Sequence, residues 1–218
     1  DGSKNQFEGE LLEAQLKKLG LGDRKSVYQK VTNLRGANKL YDTIHHHKNA
    51  DVLTVVYNFV DALSHAKTDT EVVRELASDD SAYRRLVKTW LEGSPLLKML
   101  QWASKQGFTV VLTTDHGTVN VHRPSKVVGT KHLTTNLRYK TGNGMSYQSK
   151  HSFVVKDPSV IGLPKQHIAD ECIFALSDLF YVYPNRYNHF VQYYRNTYQH
   201  GGVSLEELII PYAVLTSK

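Results

Sequence analysis

Residues 108–118, FTVVLTTDHGT, form the stretch from which the rest of the sequence can be interpreted. The first five residues are apolar or β-branched, a pattern typical of a strand buried on both faces of a parallel sheet. Asp115 and His116 follow this strand, and Gly117 allows a sharp backbone turn. Open α/β folds place their sites at the carboxyl edge of such a sheet. Alone, the Asp-His pair would favour an ordinary strand-end turn with a surface histidine.

Two other motifs resemble the first in their placement. Residues 51–59, DVLTVVYNF, predict a second apolar strand, which leads into Asp61 and His65. The D-x-x-x-H spacing puts both side chains on one face of a helical turn, where they suit a metal ion. Near the end of the chain, His200 is followed by two glycines and then by VSLEELIIP, in which Ser204 can cap a short turn of helix with Glu207 three residues on. The sequence therefore presents D-x-x-x-H, D-H and H-G-G in that order, each near the end of a predicted core element.

These three motifs in this order resemble the alkaline-phosphatase superfamily, and most closely its PglZ branch. The stretches that support the resemblance are VVYNFVDALSHA, VVLTTDHGTV and YQHGGVSLEELIIPYAVL. With the segments between them they resemble the output domain of PorX-type response regulators. The likeness covers nearly the whole chain. It implies a cytoplasmic two-component system that controls type IX secretion, with an upstream receiver domain and a sensor kinase as partner.

The resemblance also implies two zinc ions in one site. Asp61, His65 and His200 are the expected ligands of the first ion, and Asp115 and His116 those of the second. Oxygen and nitrogen donors of this kind suit a Zn²⁺ ion that keeps one coordination position open. Two neighbouring ions can bind the attacking and the leaving oxygen of an in-line displacement at phosphorus. The predicted function is therefore that of a zinc-dependent phosphodiesterase or phosphatase acting on oligonucleotide, cyclic nucleotide or related phosphoesters.

The catalytic nucleophile is not found among these residues. In the superfamily an early Asp and a nucleophilic Thr or Ser precede the D-x-x-x-H motif. Only 60 residues precede Asp61, and they contain no predicted buried strand that ends in Asp and no following helix that opens with Thr or Ser. Residues 1–218 are therefore interpreted as the carboxy-terminal part of a PglZ-type domain, with the nucleophile expected upstream and the activity of this chain alone left open.

The fold class predicted from these patterns is α/β. It consists of a mainly parallel sheet flanked by helices, as in alkaline phosphatase, with a small β-rich insertion. A right-handed crossover is expected between the strands at 51–59 and 108–112. The other predicted elements are helices at 7–19, 34–44, 71–77, 81–91, 95–106 and 187–198, and one strand through 171–184. The helix at 95–106 is expected to have Ser94 as its N-cap and Pro95 at its first position.

Composition sets broader limits. With 218 residues and 40% hydrophobic residues, the chain can build one substantial core. No apolar run is long enough to span a membrane, and the amino terminus lacks an export signal, so a cytoplasmic location without membrane insertion is predicted. Cys172 is the single cysteine and excludes an intramolecular disulfide.

The formal net charge of +6 is unevenly distributed. Residues 123–165 contain eight Lys or Arg residues and one acid. This segment is predicted to be a mobile insertion that faces the substrate, with Arg138, Lys140 and Lys150 binding phosphates and the glycines at 142–144 forming a flexible turn. A homodimer formed by exchange of this segment is a further expectation. A solvated basic face without a ligand is the alternative.

Two functional classes are alternatives to a phosphoester hydrolase. The first is a metal-stabilised, non-catalytic module that binds a polyanion or a partner protein. The second, a Ser-His-Asp hydrolase, is disfavoured because the sequence has no G-x-S-x-G motif. The run of histidines at 45–47 is predicted to be an exposed helix end, because adjacent helical residues point about 100° apart and cannot share one ion.

Overall fold

The computed structural model describes residues 7–129, 133–165 and 167–217. Its α-helices are α1 (Glu8–Lys18), α2 (Leu34–Thr43), α3 (Phe59–Asp69), α4 (Glu71–Leu76), α5 (Asp80–Gly93), α6 (Pro95–Lys105), α7 (Tyr187–Tyr194) and α8 (Leu205–Leu208). The strands are β1 (Ser26–Val31), β2 (Val52–Tyr57), β3 (Val110–Thr113), β4 (Val119–Val121), β5 (Arg123–Lys126), β6 (Tyr139–Gly142), β7 (Ser152–Val155), β8 (Glu171–Ala175), β9 (Leu179–Val182), β10 (Thr197–Gln199) and β11 (Tyr212–Leu215). Short 3-10 helices span Ile44–His47, Ser149–His151 and Pro158–Ile161. Within the described residues no helix has the length and apolar character needed to cross a membrane.

The chain divides into two compact units. The first comprises Asp1–Leu63, Leu76–Val110 and Val214–Lys218, and the second comprises Ser64–Glu75 and Val111–Ala213. The boundary falls within α3, so that Asp61 belongs to the first unit and His65 to the second.

The first unit is built around α2. Ala37, Leu40 and Ile44 recur at spacings of three and four, so they share one helix face, and all three are buried with Val31 and Met99. Asn33 caps the helix, its side chain accepting a hydrogen bond from the Gly36 backbone at 2.8 Å. This core packs against the parallel pair β1–β2. The sequence did not predict β1, because the order SVYQKV at 26–31 is neither a continuous apolar run nor a strict alternation of apolar and polar residues.

The second unit is organised by β9, whose four residues are all buried. Successive side chains of a strand point to opposite faces. Leu179 and Tyr181 accordingly pack into one hydrophobic cluster with Val127, Ile173 and Ala175. Phe180 and Val182 pack into a second cluster with Val119 and Val121. One short strand therefore contributes to two cores, and the second core includes β4, which begins just after the D-H-G motif.

The mixed α/β class is confirmed, but the mainly parallel sheet is not observed in the described residues. β1–β2 and β5–β9 are parallel pairs, whereas β4–β10 and the three strands ordered β6-β8-β7 are antiparallel. The predicted crossover sheet is also absent there, since β2 pairs with β1 and β3 pairs with β11. Strand pairing depends on contacts between residues that are far apart in sequence, so local strand patterns do not predict it.

The strand expected at 108–112 was predicted to be buried on both faces, and this prediction was wrong. The strand is present as β3, but Val111 is 50% exposed and Leu112 is 46% exposed. A strand is buried on both faces only when other elements cover them. In the described residues the sheet partner of β3 is β11 alone, whose residues are also exposed.

Local helix signals predicted the helices well. α1, α2, α4, α5 and α6 begin and end close to the expected residues. The side chain of Ser94 accepts a hydrogen bond from the Leu97 backbone at 3.4 Å, and Pro95 occupies the first helical position, as expected for this start signal. The helix expected at 187–198 is shorter, because the chain leaves α7 after Tyr194 and enters β10.

The strand predicted through 171–184 is two strands. β8 and β9 are separated by a turn in which Ser177 has a φ of 47°. The polar Ser-Asp pair at 177–178 interrupts the apolar run, as turn residues do.

The described part of the basic segment 123–165 is not the mobile insertion that was expected. β6 and β7 do not pair with each other; they lie on either side of β8, and β5 pairs with β9. Val127 and Val154 belong to the same hydrophobic cluster as β8 and β9. The expected β-rich character is present, but the described part of this segment is integrated into the core of the second unit. Formation of a homodimer by exchange of this segment stays a prediction, but the mobility on which it was based is not observed in the described residues.

Arg138 and Lys140 require a correction. Both were expected to face a phosphate substrate, but their exposed fractions are 0% and 1%. Arg138 pairs with Glu207, and Lys140 Nζ donates to the carbonyl of Thr134 at 2.8 Å. Sequence charge alone does not reveal that a cation has internal acceptors. Lys150 is exposed, so its predicted role in phosphate binding stays a prediction.

Burial of Lys140 leads to a prediction about stability. Burial lowers the pKa of Lys140 from 10.5 to about 8. The folded state therefore binds fewer protons than the unfolded state between these two pH values, and stability from this group rises across that window. Below pH 8 the full penalty of burying the ammonium remains, at most about 3 kcal/mol.

We expect Lys140→Met to stabilise the protein most at pH 7, and this advantage to shrink as the pH rises towards 10.5. Urea unfolding of wild type and variant at pH 7 and pH 10 measures the difference. Lys150→Met, at an exposed lysine of the same segment, is the matched control. A stability difference for Lys140→Met that is the same at both pH values would show that burial of the charge is not its cause.

Candidate metal centre

The pairing of β4 with β10 explains why two of the predicted histidines meet. The strands are antiparallel, with Val119 opposite Gln199. The start of β4 and the end of β10 therefore lie at the same end of the pair. His116 comes three residues before Val119, and His200 directly follows Gln199. Two motifs that are far apart in sequence are thus brought to one edge.

Three histidine rings of the second unit are neighbours. The rings of His116 and His200 stack with their centroids 3.9 Å apart and an interplanar angle of 12°. Each of these two rings offers a nitrogen, and these nitrogens lie within 4.8 Å of one another. The ring of His65 lies 6.3 Å from that of His200 at an angle of 82°. Each ring comes from a different one of the three sequence motifs.

The ring of His116 is oriented by a backbone carbonyl. Its Nδ1 lies 3.0 Å from the carbonyl oxygen of Gly117. A carbonyl oxygen only accepts hydrogen bonds, so Nδ1 carries a proton, and in the neutral ring Nε2 then keeps its lone pair. Metal-binding histidines typically have their other ring nitrogen fixed in this way. The donor chemistry of His116 therefore fits a metal ligand through Nε2.

His65 is held by the part of α3 that belongs to the second unit. Lys67 Nζ lies 4.5 Å from the centre of the Tyr198 ring on β10, within the range of a cation–π contact. The side chain of Asp69 accepts a hydrogen bond from the Tyr193 hydroxyl at 3.1 Å. These contacts fix the helix two and four residues beyond His65, next to the strand that leads to His200.

Asp61 and Asp115 occupy different settings. Asp61 lies on α3 one turn before His65, as the D-x-x-x-H spacing predicted, in the part of the helix that belongs to the first unit. Asp115 has a side chain that is 85% exposed. Its Oδ1 accepts hydrogen bonds from the His116 backbone at 3.1 Å and from the Thr114 hydroxyl at 3.3 Å, and lies 3.8 Å from His116 Nε2.

Glu207 is a site residue for which the sequence indicated only a helix cap. Its carboxylate accepts a hydrogen bond from the Ser204 backbone at 3.0 Å, as the capping pattern predicted. The same carboxylate accepts a hydrogen bond from the Gly202 backbone at 2.9 Å, beside His200. Its backbone carbonyl accepts one from Gly117 at 2.9 Å, beside His116. Glu207 therefore contacts both histidine loops.

Arg138 completes this arrangement. Its Nε donates to Glu207 Oε1 at 2.8 Å, and its Nη2 donates to Oε2 at 2.6 Å. It also donates to the carbonyls of Leu179, Ala175 and Ser177. Burial raises the pKa of Glu207, but the hydrogen bonds and charge of Arg138, together with the backbone hydrogen bonds from Ser204 and Gly202, outweigh burial, and the net effect is a lowered pKa. No sequence signal links these two residues, which are 69 positions apart.

The sequence of this chain matches a known protein family over nearly its whole length. The profile of the BREX system PglZ alkaline phosphatase-like domain matches residues 5–216. The chain belongs to the PglZ family. A comparison with curated proteins found no significant match.

Membership of the PglZ family confirms the resemblance seen in the three motifs. The PglZ domain is alkaline phosphatase-like, and this likeness indicates a domain of the phosphoester-hydrolase type. Domains of that superfamily typically depend on metal ions, and the neighbouring nitrogens of His116 and His200 are compatible with such a site.

Proposed function

We propose that this PglZ chain provides most of the metal ligands of a zinc-dependent phosphodiesterase acting on oligonucleotide or cyclic nucleotide phosphoesters. Asp61, His65 and His200 hold one zinc ion, and Asp115 and His116 contribute to a second. Bound zinc would supply a Lewis acid for the phosphoryl oxygen and lower the pKa of a bound water. The nucleophile is provided by a Thr or Ser outside these residues.

The convergence of His65, His116 and His200 supports this proposal most directly. Three motifs from separate parts of the sequence bring their imidazoles together in one unit, with ring separations of 3.9 and 6.3 Å. Asp61 enters the proposal through its position one turn before His65 on α3.

The chain's own residues prepare the ligands for this role. The Gly117 carbonyl holds the proton of His116 on Nδ1, which directs the Nε2 lone pair to a metal. Asp115 is exposed and its Oδ1 receives a backbone hydrogen bond, so the carboxylate is held at the loop surface. Lys150 is an exposed cation of the basic segment and is proposed to contact substrate phosphates.

Within the PglZ family, the proposal further assigns this chain to the output domains of PorX-type response regulators, which its motifs resemble. On that basis, the domain acts at the end of a two-component pathway that controls type IX secretion, downstream of a receiver domain and a sensor kinase. The motif stretches that resemble those domains support this assignment.

Hydrolysis of bis-p-nitrophenyl phosphate and of a short oligonucleotide tests the function. The assay uses the natural protein that carries this chain. We expect chelator to abolish hydrolysis and zinc to restore it, and His116→Ala to lower the rate by at least about 100-fold, since metal contributions amount to several kcal/mol. His46→Ala, at an exposed histidine of the first unit, is the control.

Hydrolysis that is insensitive to chelator would contradict the proposal. Metal binding by His65, His116 and His200 without any hydrolysis would instead favour the non-catalytic binding module.

A further inference from the structure

We infer that Glu207 is the positioning residue of the candidate metal centre. It holds the loops of His116 and His200 at a fixed separation, one through its backbone carbonyl and the other through its carboxylate. This inference rests on the proposed function, because it assigns the fixed separation to metal binding. Glu207 is 4% exposed, so the role is one of support and not of contact with substrate.

The first contact fixes the D-H-G loop. The Gly117 backbone donates to the Glu207 carbonyl at 2.9 Å. A Cβ atom at position 117 would lie 1.9 Å from the carbonyl oxygen of Glu206, a distance that no side chain can accept without a backbone shift. Glycine is therefore required for the loop to approach α8 this closely. His116, the preceding residue, is positioned by the same contact.

The second contact fixes the H-G-G loop. The two oxygens of the Glu207 carboxylate accept hydrogen bonds from the backbones of Gly202 and Ser204 at 2.9 and 3.0 Å. A Cβ atom at position 202 would lie 2.5 Å from Arg138 Nη2 and 2.8 Å from the Ala175 carbonyl oxygen. The backbone just after His200 is thus packed directly against the groups that hold Glu207.

Arg138 keeps the carboxylate in place. Its guanidinium forms a two-point contact with both carboxylate oxygens and also donates to three backbone carbonyls. A helix as short as α8, with four residues, cannot by itself fix a side chain rigidly. The restraint on Glu207 therefore comes from Arg138, and through it from the turn between β8 and β9.

Two double variants separate positioning from stability. Arg138→Met with Glu207→Gln and Arg138→Met with Glu207→Leu both remove the buried charges. Only glutamine keeps an oxygen that can accept from Gly202 or Ser204. We expect the leucine variant to bind Zn²⁺ about 10–100-fold more weakly than the glutamine variant, the usual range for loss of an outer-shell partner. Competition with a chromophoric chelator measures the affinities.

Amide hydrogen exchange in chelator gives a second readout that needs no metal. In the leucine variant we expect faster exchange at Gly202 than in the glutamine variant. Exchange at Gly117 should be the same in both variants, because its acceptor is the backbone carbonyl of residue 207. A role in general packing would instead change both amides together.

The outcomes are distinguishable. Equal zinc affinities in the two double variants, with tight binding by wild type, would overturn the positioning role. Equal exchange at Gly202 would overturn the anchoring of the H-G-G loop. If wild type binds no zinc, the proposed function fails, and the exchange pattern still decides whether Glu207 holds each loop by a separate contact.

Discussion

Replacing His200 with alanine should remove most of the zinc-dependent rise in melting temperature while leaving the metal-free value nearly unchanged. A metal that binds only the folded state at 100 times its dissociation constant adds about 2.7 kcal/mol. For a chain of this size that amounts to roughly 5–11 °C, at about 2–4 °C per kcal/mol. His200 is only partly buried, so its loss should disturb packing little. Thermal melts in zinc and in chelator measure both values.

A matched control for this prediction is His46→Ala, which removes an exposed histidine from the first unit. It should keep the full zinc-dependent rise. If His200→Ala lowers the melting temperature equally with zinc and with chelator, the residue acts through packing and not as a ligand.

The second large effect concerns the buried pair of Arg138 and Glu207. Either Glu207→Leu or Arg138→Met alone should lower the free energy of unfolding by about 3–5 kcal/mol, because each leaves a buried charge without its partner. The double variant should lose much less than the sum of the two single changes, since it buries no charge. Denaturant unfolding of the four proteins gives this cycle directly.

The surface pair of Lys156 and Glu171 is the control, because the Lys156 side chain is 78% exposed. Lys156→Met should change stability far less than either buried substitution, because an exposed ion pair is screened by solvent. An equal effect of Glu207→Leu and Lys156→Met would contradict the assignment of a buried, fully bonded pair.

Since the folded state lowers the pKa of Glu207, the contribution of this carboxylate to stability should be complete above its unfolded pKa of 4.5 and lost as the pH falls through the lower folded value.

Local sequence signals were sufficient for the helices and for the motif order. Ser94 and Pro95 marked the start of α6, and the D-x-x-x-H spacing placed Asp61 and His65 one turn apart on α3. These features depend on neighbours within a few residues, so they can be read without the fold. The resemblance carried by these three motifs implied which histidines should meet, and the rings of His65, His116 and His200 do lie together.

Features that depend on distant partners could not be predicted. The apolar run that forms β3 reveals strand propensity but not how many elements will cover it, and Val111 is half exposed. Arg138 was interpreted as a surface cation because its acceptors, including Glu207, lie far away in sequence. The geometry of the second unit, with β4 paired to β10, is likewise a product of long-range pairing.

We expect His200 and His116 to bind zinc in this PglZ domain. Anomalous diffraction at the zinc edge, from crystals of the zinc-loaded protein, tests this expectation. We predict strong anomalous peaks about 2.0–2.1 Å from a ring nitrogen of His200 and from Nε2 of His116. Well-ordered histidines without a peak beside either ring, or peaks confined to other histidines such as those at 45–47, would contradict it.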